Sequence, residues 1–220
     1  IVLDTKYKEQ YDTCDGIPYS ENPRVGPGAK RNFGWDIAKS EGAPWHWMLD
    51  DNIRRFMVYN NNKKYNAKFD TFARIERFVD NYDNVTMAGM QYAMFVPRKQ
   101  KNNPLIINTR IFSCNLIKTD SPFRWRGRYN EDVILSMDML EAGYCTILFQ
   151  TYLCEKLRTQ TIKGGNTEEF YSKDKRTTEP KSVLLKKVYP DKTELVMRYG
   201  RPHHRVDFTK YKNLLKRKNN

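Results

Sequence analysis

A single α/β domain with a partly mixed sheet is the fold that this 220-residue sequence predicts. Three observations carry the expectation. Short apolar, aromatic-rich runs alternate with segments whose apolar residues recur at helical spacing. The length suffices for one sizeable domain with its own core. No repeat and no linker interrupts residues 1–220, so they are read as one domain.

Taken in order, Ile1 to Asp4 read as a strand already under way, and residues are expected to precede Ile1. Residues 5–28 read as a loop rich in Tyr, Asp, Pro and Gly. After Gly26-Pro27-Gly28, Phe33, Ile37 and Ala38 mark a helix that Gly42 stops. Trp45-His46-Trp47-Met48-Leu49 is a strand, because aromatic residues favour a half-buried pleated surface. Asp70 can cap a helix whose stripe is Phe72, Ile75, Phe78, Val79 and Tyr82. Strands are expected near 86–88, 92–96 and 111–117. A helix runs from Glu131 through Val133, Ile134, Met137 and Leu140 to Gly143. Cys145–Leu153 is the next strand. The segment 158–181 is polar and Gly-containing, and is expected to be mobile. A helix near 182–188 and a strand near 194–199 lead to Gly200-Arg201-Pro202-His203-His204. Residues 210–220 form a basic tail that is expected to fray.

Composition limits the class of function. With 39% hydrophobic and 13% aromatic residues the chain is globular, not disordered. No run is apolar enough to span a bilayer, and no charged-then-apolar signal peptide opens the chain, so no membrane partner is expected. The net charge of +13, from 39 Lys and Arg against 26 Asp and Glu, favours a polyanionic partner. Cys14, Cys114, Cys145 and Cys154 lack Cys-x-x-Cys spacing, and only three histidines are present, so a zinc site is not expected. Reduced cysteines in a cytosol are the default.

Six groups of residues can carry chemistry. Asp50-Asp51-Asn52 ends the 45–49 strand. It reads either as a polar turn or as an oxygen cluster for Mg²⁺ or Mn²⁺ beyond a strand's carboxyl end. Lys30, Arg31 and Asn32 follow a Gly-rich turn at a helix start, where free amides and cations suit phosphate, or form an ordinary loop-to-helix junction. Asn130-Glu131-Asp132 is a helix start with an N-cap and dipole-favoured acids, or a pocket-edge carboxylate serving as general base. His203 and His204 are neighbours, so on an extended segment they point opposite ways and at most one faces a shared pocket. Gly164-Gly165-Asn166 permits close backbone approach or is a simple turn. Arg124, Arg126 and Arg128 put alternate cations on one side of an extended segment, with Trp125 between them packing inward or stacking on a base.

These blocks, in this order, resemble the GT-A glycosyltransferases, and most closely the TET-associated glycosyltransferases of phages, related to the glucosyltransferase that makes base J. The matching residues are Gly26-Pro27-Gly28-Ala29-Lys30-Arg31-Asn32-Phe33, Trp45 to Ile53, Arg128 to Val133, Lys163 to Thr167, and Gly200 to Asp207. The resemblance covers nearly the whole chain.

What it implies is a GT-A-like domain with a Rossmann-like, partly mixed sheet. The family's usual first strand is expected before Ile1. Asp50-Asp51-Asn52 stands where the Asp-x-Asp metal motif belongs, with Asn52 in place of the usual second acid, and His203 or His204 joins the metal. Lys30, Arg31, Asn32, Asp50, Asp51, Gly164 and Gly165 are then donor contacts, for a nucleotide-sugar such as a UDP-sugar. Glu131 and Asp132 match the acidic pair at the acceptor side, with Asp132 the candidate base. Arg124, Arg126 and Arg128 would hold DNA carrying a hydroxylated base of the hydroxymethylcytosine or hydroxymethyluracil type, in the cytoplasm of a phage-infected bacterium. The alternatives are a transferase for a protein or glycan acceptor, and a DNA-binding module without catalysis.

Overall fold

The structure, a computed structural model, describes residues 4–99, 102–157 and 179–219. The described elements are α1 (Lys6–Glu9), α2 (Gly28–Ser40), β1 (Trp45–Leu49), β2 (Ile53–Asn60), β3 (Lys63–Asn66), α3 (Thr71–Val79), β4 (Val85–Tyr92), β5 (Leu105–Ile107), β6 (Cys114–Lys118), α4 (Glu131–Glu141), β7 (Cys145–Lys156), α5 (Glu179–Val188), β8 (Thr193–Arg198) and β9 (Arg201–Val206). They divide into two compact units. The first comprises Ile1–Phe33, Trp125–Ile134 and Leu157–Asp207; the second comprises Gly34–Arg124, Leu135–Lys156 and Phe208–Asn220.

The second unit is built on the large sheet, in the order β1-β6-β4-β7-β2-β3, with β5 beside β7. The β4–β7 pair is parallel and the other pairs are antiparallel. It follows that β1, β4 and β7 run in one direction, and the carboxyl ends of all three reach the same sheet edge. This is an α/β fold with a mixed, Rossmann-like sheet of the GT-A kind. Alternation along β1 sorts its side chains. Trp47 packs on Phe72 of α3 and donates to Glu76 Oε1 at 2.6 Å. On the other face, His46 and Met48 meet Trp35 and Gly34 of α2. Ile75 and Val79 of α3 join Ala88, Met90, Leu116, Ile147 and Phe149 in one buried cluster.

Local corrections to the sequence reading have physical causes. Ala93–Phe95 is a 3-10 turn rather than a strand, since β4 ends at Tyr92. The β2–β3 hairpin escaped the reading, although its turn residues Asn61 and Asn62 both have positive φ, which Asn tolerates well. Asp70 makes no side-chain cap; its carboxylate pairs with Arg74 instead. The basic tail does not fray between 214 and 218. Asn84 binds the backbone of Leu214 and Lys216, the Asp83 amide bonds Lys216, and the Lys218 amide bonds Asn81. The strand expected at residues 1–4 falls largely outside the described residues. So does most of 158–181, of which 179–181 open α5.

Among the described residues, the first unit has little sheet beyond the β8–β9 hairpin. Tyr11 donates to the Gly127 carbonyl at 2.9 Å, and the Gly127 and Arg128 amides bond the Asp12 and Thr13 carbonyls. A Cβ at Gly26, where φ is +87°, would run into the Arg128 carbonyl, and one at Gly28 would run into the Tyr11 ring. Close packing therefore accounts for both glycines. The β8–β9 hairpin rests on α5, whose Ser182, Leu184 and Leu185 are buried.

Candidate functional site

Asp50-Asp51-Asn52 lies on the sheet edge reached by the carboxyl ends of β1, β4 and β7. The Asp50 amide bonds the Ser113 carbonyl at 2.8 Å, and Ile53 pairs with Lys156, so the tripeptide crosses the edge from β6 to β7. It is a tight turn and a chemical corner at once. Ser113 Oγ donates to Asp50 Oδ2 at 2.6 Å. Lys156 Nζ donates to the same carboxylate oxygen at 2.9 Å and to Ser113 Oγ at 2.8 Å. Because the one Ser113 proton goes to Asp50, the 2.6 Å contact with Tyr92 has the Tyr92 hydroxyl as donor. Lys156 also sits 5.6 Å from the centre of the Tyr92 ring. Ser113 holds φ at +62°, a left-handed conformation uncommon outside glycine, and such strain collects at functional sites.

The corner thus holds a carboxylate and an ammonium, both mostly buried, at the place where α/β sheets bind ligands. Asp51 is exposed, while Asn52 Oδ1 is buried with no hydrogen-bond partner. A buried carbonyl oxygen without a donor is costly unless something binds it. Among the described residues, no group of three or more His, Cys, Asp and Glu side chains could hold a metal ion. An amide oxygen such as that of Asn52 falls outside those four residue types.

The other acidic pair belongs to the first unit. Glu131 is bound to Arg31 at 3.0 Å, with both side chains mostly buried. Arg31 lies 4.5 Å from the Trp125 ring centre. Asn32 exchanges two hydrogen bonds with the Trp125 backbone, at 2.9 and 3.0 Å. Asn32 therefore fixes Trp125 in place, and of the trio expected to face phosphate only Lys30 is exposed. Trp125 is buried and packs inward. Asp132, at the start of α4, is half-buried and accepts the Val133 amide at 2.9 Å. Asn130, at φ +55°, donates to the Lys181 carbonyl at 2.6 Å and so ties α5 to the start of α4.

The three arginines do not form a series of alternating surface cations. The segment from Phe123 to Tyr129 is irregular. Arg128 is a correction: its side chain is 2% exposed, it pairs with Asp15, and it donates to the carbonyls of Ile17, Asn22 and Arg24. A guanidinium so enclosed holds the 12–28 loop and does not reach a DNA backbone. Burial alone would raise the Asp15 carboxyl, but the bonds from Arg128, the Ile17 amide and Thr13 outweigh it and hold Asp15 below its ordinary range. Arg126 approaches Asp12 and Cys14, and burial pushes the Cys14 thiol up to about 11. Arg124, in the second unit, pairs with Asp36 at 2.8 Å and remains 40% exposed.

His203 and His204 are consecutive on β9, opposite Val196 and Leu195, and so face opposite sides of the hairpin. They belong to the first unit and Asp50 to the second. Gly164 and Gly165 lie outside the described residues. Sequence reasoning missed Tyr92, Ser113 and Lys156. Lys156 left a weak signal, a cation that ends β7 one residue after Glu155 has closed its apolar residues. Ser113 left none, because it is 63 positions from the carboxylate it binds.

Among known protein families, the model described as TET-Associated Glycosyltransferase matches residues 3–165. No curated protein and no solved structure matches the chain.

Proposed function

This chain belongs to the TET-associated glycosyltransferase family, and we propose from that premise that it moves a sugar from a nucleoside-diphosphate sugar, a UDP-sugar, to the hydroxyl of a modified pyrimidine in DNA. The acceptor is a base of the hydroxymethylcytosine or hydroxymethyluracil type, met in the cytoplasm of a phage-infected bacterium. Residues 1–220 act as one glycosyltransferase domain. The observation that carries the reading is the Asp50–Ser113–Lys156 corner at the carboxyl edge of β1, β4 and β7.

In the reaction the anomeric carbon exchanges its bond to the diphosphate oxygen for a bond to the acceptor oxygen. Charge builds on the departing diphosphate, and Lys156 supplies a charge-assisted donor for it. If the anomeric centre inverts, Asp132 takes the acceptor's proton as the new bond forms. Glu131, held by Arg31, fixes the start of α4 that presents Asp132. Lys30 adds an exposed cation for the donor, and Gly164 and Gly165 are donor contacts on the strength of the resemblance. Arg124 and the net charge of +13 favour the DNA backbone. A base inside a duplex is out of reach, so it is flipped or presented single-stranded.

An oxygen-only donor set and an orphaned Asn52 carbonyl fit a hard divalent cation, Mn²⁺ or Mg²⁺, held by Asp50, Asp51 and Asn52 with Lys156 as its competitor for Asp50. Bound there, the cation would neutralise charge on the diphosphate.

The test is transfer from several sugar donors to hydroxymethylated DNA, unmodified DNA and protein, read by mass spectrometry. A sugar's mass should appear on hydroxymethylated DNA alone, vanish in EDTA and return with Mn²⁺ or Mg²⁺. Transfer to protein instead would move the acceptor class, and full activity in chelator would remove the metal.

A further inference from the structure

The β8–β9 hairpin carries three features that oppose its own folding. Its two-residue turn is Tyr199-Gly200, closed by the Arg198–Arg201 pair, with φ of +52° and +70°. That is a type I′ geometry, which favours Asn or Gly at its first position and strains a bulky side chain. Tyr199 is 96% exposed, and Met197 and Leu195 on β8 are 68% and 50% exposed. Arg198 and Arg201 stand directly opposite each other, an arrangement of like charges that destabilises a strand pair. The one acid between Thr193 and Val206 is Glu194, and it is paired with Arg205 at 2.5 Å.

Apolar exposure and opposed cations are both met by one kind of occupant, a polyanion with flat apolar faces, and the strained turn holds the Tyr199 ring out toward solvent. The base of the hairpin is well seated. Thr193 is buried and bonds the Leu185 carbonyl of α5 at 3.5 Å, and Ser182 of α5 bonds the Pro202 carbonyl at 3.4 Å. Through Asn130 and Lys181, α5 is in turn bonded to the residue that opens Glu131-Asp132. The exposed tip is therefore carried on the same unit as Asp132. These residues lie beyond the stretch matched by the family model.

We propose that this hairpin is the DNA-reading element of the enzyme: Tyr199, backed by Met197, stacks on a base or fills the gap left by a displaced one, while Arg198 and Arg201 hold the flanking phosphates. The inference rests on the DNA-acceptor reading above.

The experiment uses the full chain and a duplex with 2-aminopurine beside a hydroxymethylated target. Fluorescence anisotropy reports affinity, and 2-aminopurine emission reports unstacking. Wild type should bind and raise the emission. Tyr199→Ala should weaken binding about tenfold, as expected for loss of one stacked base, and abolish the rise, whereas Tyr199→Phe keeps both. Tyr199→Gly controls for folding: the turn favours glycine, so the variant should melt no lower than wild type and still bind as poorly as the alanine variant. If wild type binds and the alanine and glycine variants bind equally well, the hairpin has no such role and the DNA reading stands. If wild type shows no DNA affinity, the DNA reading falls and this proposal with it. A concentration-dependent dimer that Tyr199→Ala disperses would overturn the proposal in favour of a second copy of the chain.

Discussion

Arg128 and Ile75 do the same work in the two units by different means. Ile75 is fully buried among the apolar side chains of α3 and the large sheet, where non-directional burial holds it. Arg128, nearly as buried, is held by a carboxylate and three carbonyls. The second unit has a sheet running through its apolar core, whereas the first uses a buried charge to fix a loop. A buried charge tolerates little, because removing one partner leaves the other uncompensated. A packed apolar core relaxes in part around a shortened side chain. The same contrast separates the candidate acids. Asp50 is fixed by Ser113 and Lys156 at a strand end, which suits a group that holds a ligand. Asp132 sits at a helix start, where its bond to the Val133 amide is local.

The largest expected effect tests the charged anchor. Arg128→Met should destabilise the protein by roughly 3–5 kcal/mol, as when a buried ion pair loses one member, read as a lower urea midpoint. A loss under about 1 kcal/mol would mean that the 12–28 loop does not depend on that charge. Next in size is the division of labour between the acids. Asp132→Asn should lower turnover by roughly a hundredfold, with an unchanged melting temperature and unchanged donor binding by calorimetry. If stability falls and turnover does not, Asp132 serves the helix start and not the reaction.

The smallest effect concerns the apolar unit. His46 is buried on β1, bonds Thr119 Oγ1 at 3.0 Å, and is pushed down to about 4, first by burial and then by the Arg124 charge. The unfolded chain takes up this proton near pH 6.5 and the folded chain does not until about pH 4. Stability is therefore full above 6.5 and declines as pH falls through that window, by on the order of 2 kcal/mol. His46→Gln should flatten the decline in urea midpoint between about pH 6.5 and 4.5; an equal slope in both proteins would assign it to other groups.

The amino-acid order by itself determined β1, whose observed bounds are those read from Trp45–Leu49, and the helices α2, α3 and α4 within two or three residues. Aromatic runs and helical stripes are local signals, fixed by side-chain spacing along one element. The acid ending β1 was also legible, since a charge closing an apolar run has no place in the core. What only the tertiary structure decided is which distant groups meet. Ser113 and Lys156 reach Asp50 because β1 and β7 end, and β6 begins, on one sheet edge, and no spacing along the chain encodes that convergence. The role of Arg128 was hidden for the same reason. Alternation with Arg124 and Arg126 describes an extended strand, but its partners lie in the loop after α1, more than a hundred positions away. The Tyr199 turn was missed because its sequence favours no type I′ turn. Only the paired strands on either side impose that geometry, and with it the exposure of the ring.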